Sequence, residues 1–505
     1  MTVPMLNEVR ILDEPALEFR YGQQVTDPRD GLSLFGPYDA DAPGHPGALS
    51  YGVVGTGEGI DLFSAWSNAM VRSWTDAPNN RHRLWPPYPG FQAAFASDWR
   101  NEPVWEHVLD SHELSDVAHR YDHHERVYST VNQYLSAFQD LQRLDERVSV
   151  MICVVPDEIY QTCRIKSRVK QSTGEVVSKK RRESRREGQL EFFSNYEPEQ
   201  YELSLDFRRQ IKARTMAYNV PIQIIRQSAL RLSDENRLGE RQLTPLSDRM
   251  WNLSTTMYYK GGGKPWKLAT AREGVCYVGL AFRRADDRGE PKSAACAAQM
   301  FLNDGDGVVF LGNYGPWYSP KKKQFRLTAQ AAHDLLKGAL ETYTQLHGKS
   351  LTEVFLHSRS DISAEEFEGY LSAAPDGLKV VGIRVRPYRD GARLYRPDKR
   401  WPVIRGTLWK HSPTRGYLFG SGFKPRLGTY DGWETPVPLQ IDIQHGDADI
   451  VDVARDILGL TKLNYNACNA GDIQPVTVKF SDAVGEILVS NPPVTNRQPT
   501  FRFYI

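Results

Sequence analysis

The stretch VSVMICVVP (148–156) limits the possible folds of this chain more than any other. It is a near-continuous apolar run, rich in β-branched residues, that stops at a proline. A strand buried on both faces of a parallel sheet looks like this. Beyond a basic interval, LSLDFRRQIKARTMAYN (203–219) has helical spacing and VPIQII (220–225) reads as the next strand. Strand, helix and strand at this interval predict a βαβ unit in an open sheet, and so an α/β protein.

A second unit is legible downstream. SDRMWNLSTTMYYKGGG (247–263) reads as a helix closed by glycines. VCYVGLAF (275–282), AACAAQMFL (294–302) and GVVFLG (307–312) are separated by the turn-like RADDRGEPK and NDGDG, which predicts an antiparallel meander. LTAQAAHDLLKGALETYTQLHG (327–348) repeats its apolar positions every three or four residues, as an amphipathic helix does. EVFLHS (353–358) follows as a strand, then SAEEFEGYLSAA as a helix with an N-cap serine. Meander, helix and further strand is the order of the ribonuclease-H fold. One domain is therefore placed over 1–235 and a second over 236–505. In the first, LEFRYGQQVTDPRDGLSLFGPY (17–38) reads as strand, polar turn and second strand, and YPGFQAAF (88–95) opens a segment of mixed helical pattern.

Composition narrows the class. With 505 residues, 40% of them apolar and 25% charged, the chain fits a soluble protein of two or more domains. No apolar run approaches the roughly 18–20 residues of a membrane span. The N-terminus lacks the charged and apolar blocks of a secretory signal. Cys153, Cys163, Cys276, Cys296 and Cys468 are scattered, with no pair at metal-ligand spacing, which fits reduced thiols in a cytoplasm. The net charge of +1 does not announce nucleic acid. Locally, CRIKSRVKQSTGEVVSKKRRESRREGQ (163–189) is densely basic. It is either a solvated loop or a surface facing a polyanion, where clustered cations gain from counterion release.

The most informative cluster is Arg208, Lys212 and Gln223. Positions i and i+4 share one helix face, so the two cations converge, and a buried strand amide needs a partner. Together they offer what a terminal phosphate requires; the bland alternative is a surface basic pair beside an ordinary strand glutamine. KGGGKPWK sets Lys260, Lys264 and Lys267 around glycines but lacks the order of a P-loop, so a helix end and linker is the simpler reading. NDGDG (303–307) reads as a hairpin turn, because the later ligands of a calcium loop do not follow. The adjacent His123 and His124 point in different directions on a helix and predict no metal site. The apolar ending FRFYI predicts a docked chain end with the carboxylate of Ile505 held in place. Finally, GVCYVGLAF (274–282) occupies the strand on which many nucleases carry a metal-binding carboxylate, yet it has Ala281 and no acid until Asp286.

Taken together, DPRDGLSLFGPY, YPGFQAAF, VVPDEIYQTCR, IKAR…VPIQII, YYKGGGKPWKL, CYVGLAF, AAQMFLNDGDGVVF, EVFLHSR, LTKLNYNAC…PVTVKF and the terminal FYI resemble a short prokaryotic Argonaute, the kind built of MID and PIWI domains only. The resemblance covers nearly the whole chain. It implies a Rossmann-like MID domain that holds the 5′ phosphate of a guide RNA through Arg208, Lys212, Gln223 and Lys260. Thr256 stands where many relatives have a second lysine, and Arg208 replaces a more usual tyrosine or histidine. Ile505 matches members whose terminal carboxylate joins a Mg²⁺ ion at this phosphate. The PIWI positions that carry catalytic acids in slicing members fall on Ala281, on Ser360 or Asp361, and near Asp482. Two-metal hydrolysis needs carboxylates around cations about 4 Å apart, so the resemblance implies a binder without target cleavage. Such proteins pair with an APAZ-containing effector. A TIR–APAZ NAD hydrolase is favoured here, with nuclease–APAZ or sirtuin–APAZ partners as alternatives. The implied sequence is guide loading, capture of complementary single-stranded DNA, and effector activation through higher oligomers. An active nuclease using Asp361 and Asp482, and a metabolic α/β enzyme, are the rival readings.

Overall fold

The structure, a computed structural model, describes residues 8–75, 83–139, 141, 146–189, 196–233, 243–284, 294–301, 307–315, 317–319, 324–347, 351–389, 391, 393–397, 401–430, 432 and 434–505, with backbone alone over 283–284, 294–301, 307–308, 310–315, 318–319, 324 and 346–347. Asp286 and residues 303–306 of the expected NDGDG turn lie outside the described residues, as does the side chain of Cys296.

The chain opens on a short strand, β1 (Glu8–Ile11), and helix α1 (Pro28–Leu34) follows. Of the strand–turn–strand expected over 17–38, Leu17–Glu18 pairs antiparallel with Gln24–Val25 across a tight turn, but the segment leading to Gly36-Pro37, expected as the second strand, is this helix. Its local chemistry explains the difference. Asp27 accepts from the Arg29 amide at 3.0 Å and Pro28 holds the first helical position, so LSL completes a turn of helix instead of extending.

Strands β2 (Tyr51–Thr56), β3 (Trp105–Leu109), β4 (Val150–Val155) and β5 (Ile222–Arg226) form a parallel sheet in the order β3–β2–β4–β5. Helix α2 (Gly57–Met70) packs on one face. On the other lies α3 (His123–Gln139), and the β4–β5 connection carries α4 (Lys179–Arg186) and then α5 (Phe207–Thr215). The apolar run of β4 is explained by period two. Val150, Ile152 and Val154 enter a core shared with Phe63 and Trp66 of α2. Met151, Cys153 and Val155 enter another with Val131 and Tyr134 of α3 and with Phe207 and Ile211 of α5. Both faces are covered, so no polar position is tolerated.

Helix α6 (Leu246–Lys260) connects this sheet to a nine-stranded one. In it β6 (Val275–Arg284), β7 (Ala294–Phe301) and β8 (Gly307–Gly315) form the expected meander. After α7 (Ala329–His347) come β9 (Glu353–Ser358), α8 (Ala364–Ala373), β10 (Lys379–Pro387), β11 (Thr407–Ser412), β12 (Arg415–Leu418), β13 (Leu439–His445), α9 (Ile450–Leu460) and α10 (Val476–Val489). The order is β1–β11–β12–β13–β10–β9–β6–β7–β8, with β6, β9 and β10 parallel. Cys276, Val278 and Leu280 face α7 and α8, while Val381, Ile383 and Leu408 face the other core with α9 and α10. Strand pairing crosses the 235/236 boundary: Val9 of β1 stands opposite Trp409, and Leu17–Glu18 pairs with Lys267–Leu268.

Candidate nucleic-acid interface

The connection from β4 to β5 buries a lysine in the group that gathers at the start of β5. Asp206 starts α5 by accepting from the Arg209 amide at 3.1 Å. Phe207 and Ile211 then anchor one stripe of the helix in the core, and Lys212 is buried beside them. Its ammonium donates to the main-chain oxygen of Ile505, the last residue of the sequence. Ile505 is buried because Phe501, Phe503 and Tyr504 pack into the main core. Helix α6 delivers Lys260 in its final turn. Buried, its Nζ donates to the Ile222 carbonyl at 2.7 Å and to Gln223 Oε1 at 2.6 Å. Gly262, at φ +107°, then turns the chain away where a side chain would be strained.

Burial, reinforced by Lys260 and Arg208, pushes the Lys212 ammonium well below its ordinary range. Burial and Arg208 bring Lys260 down to about 7. The neighbouring Cys153 thiol is pushed up to about 12 by burial and stays uncharged. Among the described residues no Asp or Glu side chain hydrogen-bonds either ammonium. The site therefore holds cations in a low-dielectric place that disfavours them, a cost that an entering anion relieves.

A cavity of about 460 Å³ is lined by Arg208, Gln223 and Thr256 together with Trp66, Tyr160, Arg164, Asp206, Arg226, Arg249 and Asn252. Lys212 and Lys260 lie behind this lining and connect to it through Gln223, which accepts from Lys260. The cavity lies outside the carboxyl ends of β4 and β5, where open α/β sheets place their ligands. Arg208 is exposed here, unlike Lys212 one turn on. The Tyr160 ring has the guanidiniums of Arg164 and Arg226 at 4.2 and 4.4 Å from its centroid. Arg249 sits 5.5 Å from the Trp66 ring. Sequence reasoning missed these aromatic–arginine pairs, although Tyr160 and Arg226 lie at or just beyond the ends of two strands. Conversely, Lys264 and Lys267 do not converge on the site. The Lys264 amide donates to Asp39 at 2.7 Å, and Lys267 pairs with Glu18 at 3.0 Å.

In the second sheet, Ala281 is buried in β6, opposite Ala297 of β7. Asp361 follows β9 and accepts from Arg384 and from Gln444 Nε2, the latter at 2.7 Å. Arg384 also donates to Asp442 at 2.6 Å. Asp482, on α10, pairs with Arg359, which reaches Gln474 Oε1 at 2.8 Å. The Ser360 amide donates to Ser358 Oγ at 3.1 Å. His357, buried on β9 beside Gly279 of β6, bonds Thr477 Oγ1 of α10 at 2.9 Å, and burial lowers its pKa to about 3. Among the described residues no group of three or more His, Cys, Asp or Glu side chains is placed to hold a metal ion.

An open Rossmann-like sheet joined to a mixed sheet that opens with a meander defines an Argonaute-like fold. Solved structures with this arrangement include Clostridium butyricum Argonaute bound to a guide DNA and a 19-mer target DNA, at TM-score 0.62 and 15% identity over 99% of this chain and 55% of that one. Drosophila Piwi superposes at TM-score 0.58 and 12% identity, over 98% and 56% of the two chains. A. aeolicus Argonaute gives 0.55 and 13%, over 97% and 54%. The chain thus spans about half the length of the structures it matches, and at these identities the likeness is one of fold. No family model and no curated protein matches the sequence. No helix among the described residues is long and apolar enough to cross a membrane.

Proposed function

We propose that this protein is a non-slicing, guide-directed sensor. It holds the 5′ phosphate of a guide RNA at the Lys212–Lys260–Gln223 site, captures complementary single-stranded DNA, and signals to a separate effector. The observation that carries this reading is the pair of buried lysines, Lys212 bonded to Ile505 and Lys260 to Gln223, with Gln223 also lining a cavity that Arg208 borders, in an Argonaute-like fold. A phosphate dianion offers several acceptors to two ammonium groups, the Gln223 amide and Arg208 at the mouth. Tyr160 and Trp66 supply the aromatic surface that Arg208 does not.

The Mg²⁺ implied by the resemblance fits this donor set only in company with a phosphate. Such ions take one or two carboxylates plus substrate oxygens and water, and the buried lysines would repel a bare divalent cation. The terminal carboxylate of Ile505 would hold it, and the ion would neutralise phosphate charge.

The second sheet supports binding without cutting. Ala281 offers no ligand, and Asp361 and Asp482 are each held by a guanidinium. Their negative charge is compensated by Arg384 and Arg359, a role that metal ions take in two-metal nucleases. Base pairing would supply sequence information and the protein the backbone grip. A sensor that does not cut reports its binding through a partner. An APAZ-containing effector is proposed, TIR–APAZ first, in a cytoplasmic defence complex. The test is incubation of the guide-loaded protein with labelled complementary DNA and Mn²⁺. Tight retention without cleavage is expected; cleavage opposite the guide centre would refute the silent-site reading. Equal affinity for 5′-phosphorylated and 5′-hydroxyl oligonucleotides would refute the pocket.

A further inference from the structure

We infer that the basic insertion between β4 and α5 is a second nucleic-acid contact, which grips the phosphate backbone of the strand whose 5′ end occupies the cavity. The inference rests on the guide-binding reading above.

The insertion is folded onto the domain. The Thr173 amide donates to the His119 carbonyl at 2.9 Å, and the Thr173 carbonyl accepts from the Tyr121 amide at 2.7 Å. Arg185 of α4 is buried, with its guanidinium 5.2 Å from the centre of the Tyr196 ring. The acids in reach are already used on one side of the insertion. Glu175 takes Arg181 and Arg185, and Glu202 takes Arg186 at 2.6 Å. Glu183 lies 4.0 Å from Lys179.

The remaining cations are a different set. Arg164, Lys166, Arg168, Lys170 and Lys180 are exposed, and among the described residues none of them makes an ion pair. A solvated loop of mixed charge would distribute its acids among them; here four of the five lie together between Arg164 and Lys170, and Lys180 projects from α4 between paired neighbours. Arg164 also lines the cavity and stacks on Tyr160. Arg164 therefore links the cavity to the exposed cations Lys166, Arg168 and Lys170 that follow it in the chain. From Arg164 to Lys170 the chain spans at most about 20 Å. A helical strand advances about 3.4 Å per phosphate, so this track serves several consecutive phosphates. Regular spacing of like charges, with no aromatic groups beyond Tyr160, suits a backbone rather than bases.

The test compares the wild type with a variant carrying Lys166→Ala, Arg168→Ala, Lys170→Ala and Lys180→Ala, all at exposed positions outside the cavity. Binding of a 5′-phosphorylated dinucleotide and of a 5′-phosphorylated 16-mer is followed by anisotropy across a series of salt concentrations. Each lost single-strand phosphate contact removes about 0.7 from the slope of log K against log salt. The 16-mer is expected to lose at least tenfold in affinity and about 2–3 from its slope, while the dinucleotide stays within about twofold. An unchanged 16-mer slope would overturn the inference and leave the guide reading standing. Equal losses for both ligands would also overturn it, because the cations would then act on the terminal phosphate. If the wild type binds neither ligand, the guide reading itself fails, and this inference with it.

Discussion

The ammonium of Lys212 donates to the main-chain oxygen of Ile505, 293 residues further along the chain. This contact ties α5, beside the first sheet, to the last residue of the sequence. Lys212→Ala should therefore remove a charge-assisted hydrogen bond to a bound phosphate. Such bonds contribute about 1.5–3 kcal/mol, or about 10- to 100-fold in affinity. The expected readout is loss of preference for a 5′-phosphorylated over a 5′-hydroxyl oligonucleotide. A variant that keeps the full preference would show that the phosphate sits elsewhere.

Binding should also depend on pH through Lys260. Its folded-state pKa is brought to about 7, below the ordinary lysine value of 10.5, by burial and Arg208. Between those values the unfolded chain binds the extra proton, so this group makes the free protein more stable as pH rises from about 7 towards 10.5. A bound phosphate restores the charged form, so binding above pH 7 takes up a proton. Affinity should fall by up to about tenfold per pH unit above 7. It should also weaken below about 6, where the phosphate takes up its own proton. Lys260→Met should flatten the alkaline limb in titrations from pH 7 to 9. An equally steep limb in that variant would assign the proton to another group.

Restoring one acid should not restore a nuclease. Ala281→Asp places a carboxylate on β6, but Asp361 stays paired with Arg384 and Asp482 with Arg359. No Mn²⁺ binding by calorimetry and no target cleavage are expected of this variant. Adding Arg359→Ala and Arg384→Ala frees the acids, and only that combination is expected to bind the ion. Cleavage by Ala281→Asp alone would show that the arginines do not block the site.

These relationships differ in how far the sequence exposes them. The β4 run, the helix carrying Lys212 and the β6–β8 meander are local patterns, and each appears where its periodicity places it. Lys212 and Gln223 were legible together from helix spacing and the following strand, whereas Lys260 joined them only through the family resemblance, since the glycine-closed end of α6 by itself reads as a helix end and linker. The failures are contacts between distant segments. Nothing near Asp361 announces Arg384, which reaches it from the adjacent strand β10. Nothing near Glu8–Ile11 announces β11 as its partner. LSL in α1 has a strand's alternation, and only the Asp27–Pro28 start decides for helix. The exposed Arg208 and the buried Lys212 were read as one face. Burial by the chain end separates them, and it is invisible until that end is placed.

Gly279 offers a stability test of the second sheet that leaves the candidate phosphate site untouched. It lies two residues before Ala281, in the part of β6 that crosses α10. A Cβ added there would come within 2.0 Å of the Thr477 carbonyl oxygen, and that atom belongs to helix backbone and cannot swing aside. Thr477 is further fixed by its bond to His357 at 2.9 Å. Gly279→Ala must then push α10 off the strand or distort β6, and overpacking of this kind costs about 1–3 kcal/mol or more. A Cβ added at Gly338, on α7, would meet nothing within 4 Å, so Gly338→Ala is the matched control. A clear fall in Tm for Gly279→Ala, with Gly338→Ala unchanged or slightly raised, is expected from thermal melts. Equal stability of the two variants would mean that α10 does not pack on β6 as closely as described, and the placement of Asp482 beside Arg359 would have to be drawn again.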